Sequence, residues 1–158
     1  MSFILRGIIA AAILSGSVLR LAGAPVETTF VRDFYAAYSA RDAGRLAEFY
    51  APDASLEDPS FGLSLHGSKS IHDLLAAVLT KYQSLDWSIE HVTSSGETRV
   101  IEGTMTGTLG AKVVKVHFVS VFVFSGERIV AQRDLYDVLH FYSQLGIVPP
   151  EFRSPNKT

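Results

Sequence analysis

Tyr50-Ala51-Pro52-Asp53-Ala54-Ser55-Leu56-Glu57-Asp58-Pro59-Ser60-Phe61-Gly62-Leu63-Ser64-Leu65-His66-Gly67 is the stretch whose reading decides the fold. Before it, apolar residues recur with a helical period; after Leu85 they recur with the period of a strand. Within it, Ala54–Asp58 reads as a brief strand that delivers two adjacent carboxylates, Glu57 and Asp58, against Pro59. Proline removes an N–H donor and biases the residue before it toward extended geometry. A carboxylate at Asp58 can therefore end the strand and point into whatever the next loop covers. Asp-Pro also starts turns for purely structural reasons. Gly62 and Gly67 then lead into another helix.

Upstream, Phe30, Val31, Phe34, Tyr35 and Tyr38 fall on one face of a helix within Val26–Arg41. Asp42 can cap a second, shorter helix that buries Leu46, Phe49 and Tyr50. Downstream, Ser70 with Asp73 resembles a capping box. Ile71, Leu74, Leu75, Val78, Leu79 and Tyr82 form the third helical stripe.

After Leu85 the strands follow one another. Trp87, Ile89 and His91 alternate with Ser88, Glu90 and Val92, and Ser94-Ser95-Gly96 makes a turn. In Val100–Thr108, Glu102, Thr104 and Thr106 oppose Ile101, Gly103 and Met105, the pattern of a strand half against a core. Val113–Phe124 is rich in β-branched and aromatic residues on both faces, which predicts a central strand covered on both sides. Ser125-Gly126-Glu127 turns the chain into the last strand, Ile129–Leu139, and His140–Gly146 is expected to form a short helix. Helices first and a strand meander afterwards predict an α+β fold: a curved antiparallel sheet with three N-terminal helices on its concave face.

The chain has 158 residues, 47% of them hydrophobic and 19% charged, which suits one globular domain with a sizeable core. A net charge of −2 and a pI near 6.2 give no basic surface for nucleic acid. Without cysteine, disulfides, thiolate catalysis and cysteine metal sites are excluded. His66, His72, His91, His117 and His140 share no helix-face or strand spacing with a carboxylate that would make a metal site, so neither metal nor cofactor is expected. Gly103, Gly107 and Gly110 precede no helix and are strand-bend glycines, not a phosphate loop.

Residues 1–24 are a different material. One positive charge, Arg6, precedes the small-and-apolar run Gly7–Leu14, and small residues follow at Ser15, Ser17, Ala22 and Ala24. That order matches a secretory signal peptide. Arg6 and Arg20 bracket too few residues for a membrane span of roughly 20. Export to the periplasm or exterior after leader removal is the first expectation, and anchoring by an uncleaved leader the second. Residues 25–158 then form the single mature domain, with 12 basic and 16 acidic residues.

Certain residues punctuate this order: Phe34-Tyr35-Ala36-Ala37-Tyr38 with Arg41-Asp42, Tyr50-Ala51-Pro52-Asp53-Ala54, Glu57-Asp58-Pro59, His66-Gly67, and Arg133-Asp134-Leu135-Tyr136-Asp137. Together they resemble the nuclear transport factor 2-like superfamily, which includes SnoaL-like polyketide cyclases, ketosteroid isomerases and limonene epoxide hydrolases. The resemblance covers about Val26–Gly146 and implies a cone-shaped fold. It places Asp58 where ketosteroid isomerases carry their general base, but Phe34 stands in for their donor tyrosine and Ser120 falls near their buried acid. Toward the epoxide hydrolases only Asp134 matches a catalytic acid; Gly103 and Met105 stand near their arginine and second aspartate, Asp58 at their asparagine and Leu56 at their tyrosine. SnoaL-like cyclases chiefly need one acid–base aspartate in an apolar cavity, and Asp134 lies in the region that supplies it.

The resulting expectation is a small-molecule domain with Asp58 and Asp134 as proton-transfer residues. Its pocket is expected to draw on Phe34, Tyr35, Tyr38, Trp87, Met105, Phe118, Ser120 and Phe122. The reaction class implied is isomerase, cyclase or lyase on an apolar carbonyl compound; the alternative is a noncatalytic ligand-binding or association module of the same fold. A homodimer is expected through the convex sheet face, and no membrane contact beyond the leader.

Overall fold

The computed structural model describes residues 25–147, and residues 1–24, where a leader is expected, and the Pro149-Pro150 tail lie outside them. The order is α1 (Pro25–Ala40), α2 (Ala43–Ala47), β1 (Tyr50–Asp58), β2 (Leu63–His66), α3 (Ser68–Leu79), β3 (Ser84–Ser95), β4 (Thr98–Leu109), β5 (Lys112–Ser125), β6 (Arg128–Tyr136) and α4 (Val138–Leu145). Six strands form one curved, unclosed sheet in the order β2-β1-β6-β5-β4-β3.

The expected all-antiparallel sheet needs correction. The sheet is mixed, because β1 pairs with β6 in parallel while its other neighbours are antiparallel. The meander β3–β6 thus ends with β6 beside β1 and running the same way. The described helices number four: besides α1, α2 and α3, α4 follows β6 and packs on β5, and it begins at Val138, two residues before the short helix expected over His140–Gly146. A short strand, β2, also occupies the loop after Pro59.

Local chemistry explains the boundaries. The Asp42 side chain accepts from the Arg45 N–H at 2.8 Å and caps α2. The expected capping box at Ser70 is absent: α3 begins behind Gly67 with no side-chain cap, and Asp73 pairs instead with Lys69. Asp137 caps α4 through the His140 N–H.

The core lies between the helices and the inner sheet face. Phe30 and Phe34 of α1 sit 5.5 and 5.3 Å, ring to ring, from Phe122 of β5. Along β5, Val114, Val116, Phe118, Ser120, Phe122 and Phe124 are buried, while Val113, Lys115 and His117 are exposed. Cover on both faces, expected from composition, is therefore not complete among the described residues: the outward valines Val119, Val121 and Val123 are only half-buried.

Candidate functional site

The inner face of β6 organises the site. Gln132, Asp134 and Tyr136 alternate inward, with Arg133 and Leu135 outward. Asp134 is only 6% exposed. Ser120, its register partner on β5, donates to Oδ1 at 2.6 Å, and Gln132 Nε2 donates to Oδ2 at 2.8 Å. The Tyr50 hydroxyl donates to Gln132 Oε1, which fixes the amide with its N–H side toward the acid. Each carboxylate oxygen of Asp134 thus has a donor, yet no cation accompanies it among the described residues.

Burial pushes the Asp134 carboxyl up to about 6, against the downward pull of Ser120 and Gln132 and with a small added push from Asp58. Asp58 is also raised by burial, while the backbone N–H groups of Phe61 and Ser60 hold it down. The Phe61 N–H lies 3.2 Å from Asp58 Oδ1, so this acid both lines the cavity and caps the turn behind Pro59. Burial first, then the charge on Asp134, raises the Tyr38 and Tyr136 hydroxyls, which therefore remain donors.

Both acids border one cavity of about 460 Å³, within the usual size of a small-molecule site. Its aliphatic walls come from Leu74, Leu75, Val78 and Leu79 of α3 with Leu109 of β4, and α4 closes it with Phe141, Tyr142 and Leu145. The inner end presents Asp134, Asp58, Tyr38, Tyr136, Trp87 and Met105. A more open depression of about 510 Å³ lies elsewhere, lined by Arg45, Glu48, Arg99 and Arg128 among others. Its Arg45 and Glu48 pair with each other and Arg99 stacks on Phe124, so no buried acid faces it.

Of the residues expected in the pocket, Tyr38, Trp87 and Met105 border the cavity with Asp58 and Asp134. Phe34, Tyr35, Phe118, Ser120 and Phe122 sit one layer behind as packed core, although Ser120 still touches Asp134. The correction has a simple cause: Phe34, Phe118 and Phe122 are sealed between α1 and β5, at most 1% exposed. The Tyr35 hydroxyl and the Trp87 indole N–H are buried without a hydrogen-bond partner among the described residues. Residues missed by the sequence reading are Tyr136, Gln132, Tyr50 and the apolar faces of α3 and α4. Gln132 and Tyr136 carried a usable signal, since both stand two places from Asp134 and so share its strand face.

The fold recurs in solved structures. A protein of ketosteroid isomerase-like fold from Catenulispora acidiphila, in complex with trimethylamine, aligns with a TM-score of 0.70 and 20% identity over 79% of this chain and 97% of that one. A candidate SnoaL-like polyketide cyclase from Shewanella denitrificans aligns at 0.69 with 22% identity, over 78% and 98% of the two chains. A limonene epoxide hydrolase-like enzyme of M. tuberculosis aligns at 0.66 with 21% identity, over 76% and 89%. At these identities the likeness is one of fold. No curated protein matches in sequence. The SnoaL-like domain family model matches residues 31–132, from Val31 within α1 to Gln132 of β6, and the chain belongs to that family.

Proposed function

We propose that this chain binds a small apolar carbonyl compound in the α3–α4 cavity and that Asp134 moves a proton next to the carbonyl, as an isomerase, cyclase or lyase does. The observation that carries this reading is a buried carboxyl that borders an apolar cavity with no cation beside it among the described residues, where burial pushes its pKa up to about 6. Such a group is mostly ionised at neutral pH, yet basic enough to accept a proton and return it. Ser120 and Gln132 hold its oxygens in place, and Tyr38 and Tyr136 supply neutral donors on the cavity wall for the oxygen that gains charge. Asp58 is already engaged as a turn cap, so it serves here as a second wall acid.

Hydrogen–deuterium exchange at the α-carbon of simple enolisable cyclic ketones, followed by NMR, tests the reading without knowledge of the natural substrate. Exchange should exceed buffer background, rise with pH through about 6 and level off above it, as Asp134 loses its proton. Ketones that enter the cavity but exchange at the background rate would leave a noncatalytic binding module instead.

We also propose a homodimer through the outer sheet face. Leu135 is 43% exposed there, beside its half-buried register partner Val119 and, further along β5, half-buried Val121 and Val123. Monomers rarely leave a large contiguous apolar patch open, and two-fold pairing is its usual cover. Light scattering at micromolar concentration should give twice the chain mass, and Val121→Lys should give the monomer. A monomeric parent protein would end this proposal.

A further inference from the structure

We infer that the substrate of this cavity is an amphipathic acid, whose anionic group seats on Lys81 at the rim while its carbonyl end lies against Asp134. This rests on the proton-transfer reading above and narrows its substrate class.

Among the described residues bordering the cavity, Lys81 is the one cation. It is exposed while Asp134 is buried, so the cavity is acidic at depth and basic at its mouth. Lys81 makes no ion pair with any described residue. It sits just past the end of α3, where a lysine often serves the last carbonyls of a helix. That task is already done here: the Thr80 hydroxyl donates to Ala77 O at 3.0 Å, the Lys81 N–H to Val78 O at 3.0 Å, and the Tyr82 N–H to Leu79 O at 3.2 Å.

The segment that carries Lys81 is also fixed in place. Arg41 donates to Tyr82 O at 2.6 Å, and the Gln83 N–H donates to Thr108 O at 2.9 Å. The Tyr82 ring lies over Gly107, where a Cβ would come within 2.7 Å of it. The backbone at Lys81 is thus fixed beside the cavity, and its ammonium, which makes no ion pair with a described residue, is the group there that can meet an anion. The two acids within repel an anion, so an amphipathic acid enters with its apolar, carbonyl-bearing end first.

Two fluorescent probes with one apolar body test this: anilinonaphthalene sulfonate, and phenylnaphthylamine, which lacks the sulfonate. On the full chain at low salt the sulfonate should bind about threefold to fivefold tighter, the range of an exposed charge pair. The advantage should fade at high salt, survive Lys81→Arg and vanish in Lys81→Gln, with phenylnaphthylamine affinity unchanged throughout. Each probe should displace the other, and Leu75→Trp, which fills the cavity, should exclude both. Equal binding of the two probes, or a sulfonate preference that survives Lys81→Gln, would overturn the inference alone. Failure of both probes to enter, shown by indifference to Leu75→Trp, would overturn the cavity reading with it.

Discussion

Asp134→Asn is expected to lower ketone exchange by about 10²- to 10⁴-fold, the usual worth of a positioned general base, and to flatten the stability of the fold between pH 4 and pH 7. The second effect follows from linkage. The folded-state carboxyl sits at about 6, above the model value of 3.8, so the folded chain holds this proton over a range where the unfolded chain has lost it. Stability from this group is therefore full below about pH 4 and lost as pH rises through 6. The loss is about 3 kcal/mol when complete. Asp58 is shifted the same way by burial and adds to the fall. Asp33 and Asp73, lowered chiefly by hydrogen bonds from Arg32 and Lys69, act oppositely, but they are common to both proteins and cancel in the difference. Urea unfolding of both proteins across that range measures it. Parallel curves would show that Asp134 ionises at little cost and remove the physical basis for its role as a base. The gain in stability at pH 7 should fall short of about 3 kcal/mol, because the asparagine N–H₂ must face either the Gln132 N–H₂, donor against donor, or the Ser120 hydroxyl, which must then accept instead of donate.

The fold was readable where one periodicity ran long. Five apolar residues on one face announced α1, and the turns at Gly96 and Gly126 separated strands that the structure keeps, although the last ends at Tyr136 and not at Leu139, because Val138 and Leu139 open α4. The parallel β1–β6 pairing was not readable, because it joins segments about 80 residues apart and nothing local in Leu56-Glu57 or Gln132-Arg133 specifies the direction of a partner. The outer face of β5 misled for another reason. Valine suits a buried strand and a half-open one alike, so composition alone did not separate cover by helices from the partial exposure seen at Val119 and Val121.

The site was legible in its charges and not in its walls. Asp58 stood out through its Glu57-Asp58-Pro59 context, and Asp134 through its place in the Arg133-Asp134-Leu135-Tyr136 run that carries the family resemblance. The aromatic residues proposed beside them were ranked by type, and type does not distinguish a ring sealed under α1, as Phe122 is, from one that borders a cavity, as Trp87 does. The true walls are the leucines of α3 and the tail of α4, whose sequences read as ordinary amphipathic stripes. Only the way α4 folds back over β5, held by the Gln144 side chain on both backbone groups of Lys115, turns Phe141 and Leu145 into cavity lining.

Gly103→Ala should cost about 3 kcal/mol, near the top of the range for overpacking, and should damage the cavity as well. A Cβ at this position would lie 2.3 Å from Ser88 O and 3.2 Å from Ile89 Cα, both backbone atoms of β3, and 3.1 Å from the Phe118 ring. A side chain could rotate away, but the neighbouring strand can only move as a unit. Gly103 pairs with Ile89, and the β3–β4 register shifts immediately beyond it, between Ile89 and His91. The glycine thus permits the close approach at which the sheet bends. Two residues along, Trp87 faces Met105 across the same pair of strands, and both border the cavity. Pushing β3 off β4 displaces Trp87 from Phe118, its ring neighbour at 4.9 Å. Phenylnaphthylamine binding should therefore weaken even at temperatures where the variant remains folded. Gly96→Ala provides the comparison: its φ is +57°, nothing lies within 4 Å, and its cost should be the roughly 1 kcal/mol of a left-handed alanine. Thermal melts of the two variants separate the causes. Equal losses would mean that β3 yields easily and that the bend does not depend on Gly103.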